Sequence, residues 1–277
     1  MAWYVPRLRS RDMGFDAFKL DRSEDGLVTI TLNRPERRNA LTFDTYRQLC
    51  DFFETERRND ATKVVMLTGE GKGFCSGGDV HEIIGALRDA PMRKVLEFAW
   101  MTGELVQNIR EFDRPVIAAI NGTCVGAGAV IALACDFRVL ADDASIGFIF
   151  TKVGLAGSDM GAAYLLPRVV GMAHATEILM LGEPVDAEKA VRIGLANETV
   201  PAADVVDAAR GIANKLLDGP ALGLRVTKRM LNNEWNMDLA SGIESAAQAQ
   251  ALLIMAEDHT EYFRAFSEKR KPKFRGQ

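Results

Sequence analysis

The chain has 277 residues, 48% apolar and 26% charged, with a net charge of −4 and a pI near 5.6. That length serves one large domain or a core with an appendage, and the acidic balance gives no reason to expect nucleic acid or an anionic membrane as partner. The three histidines have no metal-ligand spacing, which argues against a zinc site, and the four cysteines form no C-x-x-C pair, so they read as reduced packing residues of a cytoplasmic protein. The opening Met-Ala-Trp-Tyr-Val-Pro-Arg lacks an apolar core of the length a secretory signal needs.

Residues 1–14 read as a loosely attached extension. Residues 15–20 and 27–32 flank Ser23-Glu24-Asp25-Gly26 and predict a hairpin, with Val28, Ile30 and Leu32 alternating with Thr29 and Thr31 in its second arm. A polar connection over 33–41 precedes an amphipathic helix over 43–57, which carries Phe43, Tyr46, Leu49, Cys50 and Phe53 on one face. Residues 63–68 form a buried-type strand that runs into Gly69-Glu70-Gly71-Lys72-Gly73-Phe74-Cys75-Ser76-Gly77-Gly78-Asp79. Asp79 is a natural N-cap for a helix over 80–87. A long helix over 91–112 follows.

The stretch 115–136 organises the rest. A short β-branched run, 116–120, passes through Asn121-Gly122 and then Gly126-Ala127-Gly128 into a helix-forming run, 129–135. A strand that turns through glycines into a helix leaves backbone N–H groups unpaired at the positive end of the helix dipole. So the stretch reads as an anion or oxyanion site built from backbone. Two duller readings compete. The uncharged run between Arg114 and Asp136 is about as long as a membrane span, but polar residues and glycines interrupt it and βαβ patterning flanks it. Alternatively, the glycines only permit close strand–helix packing.

Beyond it, 136–140 reads as a strand, 144–152 as apolar and strand-like, and Gly154-Leu155-Ala156-Gly157-Ser158-Asp159-Met160-Gly161 as a third glycine-rich turn before a helix. Gly182 ends that helix. Asp186 caps a short one that stops at Gly194. After Pro201 the pattern is helical only, over 202–217, 220–232, 239–256 and 260–269, which places a boundary near 202 between a core (15–201) and a helical region (202–277). Alternating strand and helix argues for right-handed βαβ crossovers with parallel strands.

These segments together resemble the crotonase, or enoyl-CoA hydratase/isomerase, superfamily, from about Leu27 to Gly276. Leu32-Asn33-Arg34-Pro35 with Asn39-Ala40-Leu41 is similar to its coenzyme A loop. Phe74-Cys75-Ser76-Gly77-Gly78-Asp79 and Ile120-Asn121-Gly122 with Gly126-Ala127-Gly128 are similar to its two oxyanion turns, and Ala265-Phe266-Ser267-Glu268-Lys269-Arg270 resembles its C-terminal helix end. The resemblance implies an α/β fold, a spiral of ββα turns followed by a C-terminal α-helical trimerisation region, assembled as a homotrimer or a dimer of trimers. It implies an acyl-CoA substrate, no cofactor beyond the coenzyme A moiety, no metal and a cytoplasmic location. Carried over residue by residue, the oxyanion hole would be the backbone N–H groups of Ser76 and Ala127. Arg37 and Arg38 would face the coenzyme A phosphates, with Ala40 in the same loop. Ser76, Gly77, Gly78 and Asp79 would line the adenine or pantetheine, and Phe266 and Lys269 would reach the nucleotide. Solvated arginines and a solubilising basic tail are the plain alternatives.

A typical hydratase of that superfamily positions one water with two glutamates. Here the corresponding places hold Val130 and Phe150, neither of which can move a proton. The acid that remains is Asp159, after glycines and before a helix, where a carboxylate could take and return a proton on the acyl group or attack it as a nucleophile. Its alternative role is to cap the helix. Tyr164, Ser158 and His81 are lesser candidates, with His81 expected on the outer face of its helix. Phe148, Phe150, Val130 and Ser158 are the candidate pocket walls. Three functions stay open: enolate chemistry of the hydratase/isomerase class, hydrolysis or dehalogenation with Asp159 as nucleophile, and thioester binding without turnover.

Overall fold

The computed structural model describes residues 14–276, so the expected N-terminal extension lies outside the described residues but for Gly14. The hairpin forms as β1 (Phe18–Arg22) and β2 (Leu27–Leu32), antiparallel, with Phe18 opposite Leu32. Helix α1 (Phe43–Glu56) starts at Thr42, whose side chain accepts from the Thr45 N–H, and buries Tyr46, Leu49, Cys50, Phe52 and Phe53. Then come β3 (Val64–Gly69), β4 (Gly73–Cys75), a π turn (Val80–Ile84) leading into α2 (Gly85–Arg88), and α3 (Met92–Glu111). The next unit is β5 (Val116–Ile120), β6 (Thr123–Val125) and α4 (Ala127–Ala134). It is followed by β7 (Phe137–Ala141), β8 (Ser145–Gly147) and α5 (Ala162–Leu181). Short elements β9 (Val185–Asp186), α6 (Ala187–Arg192) and β10 (Glu198–Val200) close the mixed region, and α7 (Val205–Leu217), α8 (Ala221–Glu234), α9 (Leu239–Ile254) and α10 (Glu257–Ser267) follow.

The strands sort into two sheets. One runs β1-β2-β3-β5-β7-β10, parallel except for the β1 edge, and the other runs β4-β6-β8-β9. Three times the chain lays a strand in the first sheet, turns into the second and leaves through a helix: β3–β4, β5–β6 and β7–β8. This is the expected spiral of ββα turns. Every residue of β3 and β5 is buried, as strands covered on both faces require. All eight residues of α4 are buried too, so the uncharged run is an interior helix. Among the described residues no helix is long and apolar enough to cross a membrane.

Two local expectations change. Over 144–152 only Ser145–Gly147 is strand, and Ile149–Val153 is a 3-10 turn ending at a left-handed Gly154. The reason lies in the neighbour: β6 ends at Val125, opposite Gly147, so nothing remains for residue 148 onward to pair with. The short strands β9 and β10 were not legible as strands in the sequence. At the expected boundary near 202, α7 lies across the first sheet, with Val205, Ala209 and Ala213 fully buried against β3, β5 and β7.

Candidate active site

The spiral brings the two glycine turns together because their strands β4 and β6 are parallel neighbours. Gly77, left-handed at φ +90°, lies against the start of α4: a Cβ there would stand 3.3 Å from the Val125 carbonyl oxygen and 3.6 Å from the Ala127 nitrogen. Gly128 is where contact is tightest. A Cβ on it would meet the Cys75 carbonyl oxygen at 2.6 Å and the Cys75 Cβ at 2.7 Å, distances no side chain tolerates.

Which amides are free at this junction corrects the sequence reading. The Ser76 N–H donates to the Arg38 carbonyl at 3.0 Å, and its hydroxyl donates to the Arg37 carbonyl at 3.0 Å, so Ser76 is spent on holding the 33–41 loop. Three residues on, the Asp79 N–H donates to the Leu41 carbonyl at 2.8 Å, while the Gly77 carbonyl accepts from the Leu41 N–H. Between them, the Gly78 N–H has no acceptor among the described residues. Across the junction the Ala127 N–H, first in α4, has none either, since its four-back position precedes the helix. Gly78 and Ala127 are therefore each an unpaired amide at this junction, one from each turn.

The 33–41 loop is braced by hydrogen bonds to the turns beside it. The Asn39 side chain, 1% exposed, donates to the Glu70 and Gly73 carbonyls at 3.0 and 2.7 Å and accepts from the Arg34 N–H at 2.9 Å. Arg34 donates to the Ala40 carbonyl and the Asp79 carboxylate at 2.9 and 3.1 Å. Asp79 meanwhile caps the π turn, accepting from the His81 and Glu82 N–H groups at 3.0 and 3.1 Å. These backbone donors and Arg34 hold its carboxyl below the usual carboxylate range. Asp79 is thus committed to the fold. His81 is exposed, as expected. Arg37 and Arg38 are exposed and ion-pair with no described residue, while Ala40 is buried beside them.

Asp159 sits in a 3-10 turn (Asp159–Gly161) that packs against α3 and α4. Its carboxylate accepts from the Met160 N–H at 2.9 Å and has no cationic partner among the described residues. It does not cap α5, whose N-cap is Gly161, and the turn's own cap position, Ser158, makes no side-chain bond. Half-buried without a counter-charge, its carboxyl is raised above the ordinary value of 3.8, burial outweighing the Met160 bond.

The other expected residues fall apart from one another. Val130 and Phe148 have no exposed surface and Phe150 keeps 6%, all within the core, whereas Ser158 is exposed. Tyr164 is exposed on α5, hydrogen-bonded to Asn236 and stacked under Arg168. Phe266 is 72% exposed on α10, Lys269 just beyond it is exposed, and neither bonds to the loop or the turns of this chain. Sequence reasoning missed Gly78 as a free amide and Tyr46 as a neighbour of the site. Tyr46 read as one of five apolar positions on α1, and nothing in its spacing sets it apart.

Comparison with known proteins identifies the family. Residues 22–277 match the model of the enoyl-CoA hydratase/isomerase family. The chain is 34% identical to the 1,2-epoxyphenylacetyl-CoA isomerase of Escherichia coli K12, covering 94% of this chain and 98% of that one. It is also 34% identical to the (E)-benzylidenesuccinyl-CoA hydratase of Thauera aromatica, covering 89% and 94%. The crystal structure of an enoyl-CoA hydratase from Bacillus anthracis superposes with a TM-score of 0.89 at 31% identity, covering 95% of this chain and all of that one. A Streptomyces coelicolor A3(2) protein assigned to the enoyl-CoA hydratases superposes at 0.94 with 47% identity over the full length of both chains. The chain belongs to the enoyl-CoA hydratase/isomerase family and has the crotonase fold, an acyl-CoA enzyme by class.

Proposed function

We propose that this chain acts on an acyl-CoA thioester through an enolate, with the Gly78 and Ala127 amides holding the thioester oxygen and Asp159 as principal acid and base. The observation that carries the reading is the pair of unpaired amides at one junction, one of them at the N-terminus of a buried helix. As a proton leaves the α- or γ-carbon, the electron pair moves onto the thioester oxygen, where fixed N–H dipoles meet the developing charge. Asp159 takes that proton and returns it elsewhere on the conjugated chain. A carboxylate raised by burial suits both halves of that exchange.

Double-bond migration fits better than two-carboxylate hydration, because Val130 and Phe150 leave no second acid beside Asp159. Hydration with a single carboxylate is the second reading, favoured by the hydratases among the relatives. The substrates named for two relatives carry aromatic rings, so aromatic acyl groups belong in the first panel. Arg37 and Arg38, exposed and unpaired, are proposed for the coenzyme A phosphates, and no cofactor beyond that moiety is needed. Incubation with unsaturated and aromatic acyl-CoAs tests the reading. A double bond shifted by NMR without gain of mass supports isomerisation, gain of water supports hydration, and a covalent acyl-enzyme on Asp159 supports hydrolysis instead.

A further inference from the structure

Tyr46 is on the inner face of α1, 2% exposed, with its ring edge-on to Phe98 of α3 at 5.6 Å between centroids. A phenol buried this deeply ordinarily finds a hydrogen-bond partner. Among the described residues the Tyr46 hydroxyl has none, yet it is not sealed from solvent. The buried side-chain polar atoms that are both sealed and unpartnered among the described residues are Arg57 Nε and Thr151 Oγ1. Tyr46 therefore keeps its ring in the core with only a sliver of its hydroxyl uncovered. The opening lies beside the site, for a Cβ built on Gly78 would stand 4.0 Å from the hydroxyl oxygen.

Burial pushes this phenol well above its ordinary range, with the Asp159 carboxylate adding to it. It is a neutral donor at any working pH and no base. Val130, Phe148 and Phe150, expected as pocket walls, are instead core residues and offer an acyl chain no polar partner.

Resting on the enolate reading above, we propose that Tyr46 is the specificity-determining donor of the acyl site and recognises an oxygen on the β-carbon. The thioester oxygen is already occupied by two amides, and the α-carbon must exchange its proton with Asp159. The β-position is the next one along, and it is the position we assign to the donor beside Gly78. A site with a buried donor should reject an analogue that leaves the donor unpaired.

The test is calorimetric binding of 3-hydroxybutyryl-CoA (each enantiomer) and butyryl-CoA to wild type and Tyr46→Phe. Wild type is expected to prefer one hydroxylated enantiomer over butyryl-CoA. Tyr46→Phe, which keeps the ring, is expected to weaken that enantiomer by about 3- to 10-fold, the worth of one neutral hydrogen bond, and to leave butyryl-CoA unchanged. Equal effects on both ligands, or no preference in wild type, would overturn the role of Tyr46 while leaving the enolate reading standing. If wild type binds neither ligand, the acyl-CoA site itself is refuted, and Tyr46 with it.

Discussion

At the scale of single residues, Asp159 combines a half-buried position, no counter-ion among the described residues and one bond to its neighbour's N–H. Burial raises its carboxyl above 3.8, so the folded chain binds a proton there more readily than the unfolded chain. Stability contributed by this group therefore falls as pH rises through the interval between the two values, and the cost is complete above it. Asp159→Asn keeps the Met160 bond and removes the charge. We expect its Tm at pH 7 to equal or exceed that of wild type, with the difference vanishing in acid, while kcat falls about 10²- to 10⁴-fold. A helix-capping aspartate would give a lower Tm at pH 7. The acid limb of the wild-type rate profile should also lie above the usual carboxylate value. Asp79 was legible as a cap because that chemistry is local, an acid directly before its helix. The free amide was not, because Ser76 is consumed by the carbonyl of Arg38, 38 positions earlier in the chain.

At the scale of elements, parallel pairing of β4 with β6 juxtaposes the two turns, and Gly128 lets them close. Gly128→Ala forces a Cβ against the carbonyl oxygen and Cβ of Cys75, which cannot yield as the end of a flexible side chain would. Denaturant unfolding should show a loss of about 1–3 kcal/mol. Activity should fall by more than that loss explains, since the displaced backbone carries the amide donor. Unchanged activity would mean that the spacing of the turns is irrelevant to the chemistry. Helices and hairpin were readable from periodicity and caps. The strand expected over 144–152 failed because strand length here is set by the partner, and β6 stops at Val125. Nor could composition reveal that α7 lies on the sheet, since small buried residues such as Ala209 and Ala213 look alike on any helix.

At the scale of the whole molecule, α9 buries no residue, and the stretch from α9 to α10 presents Leu239, Ile243, Leu252, Met255, Phe263 and Phe266 to solvent. Apolar surface concentrated in one region marks an interface. We propose that these helices join copies of the chain, and light scattering should give three or six times the mass of one chain, 30.4 kDa. A monomer at micromolar concentration would contradict this. The central claim, an enolate held by the Gly78 and Ala127 amides, is tested most directly by following solvent deuterium into the α-carbon of a bound acyl-CoA. The wild type is compared with variants in which glycolic acid replaces Gly78, or lactic acid replaces Ala127, exchanging one N–H for an ester oxygen. Each variant should lose about 10²- to 10³-fold in exchange rate while retaining acyl-CoA binding. Undiminished exchange in both would contradict the account.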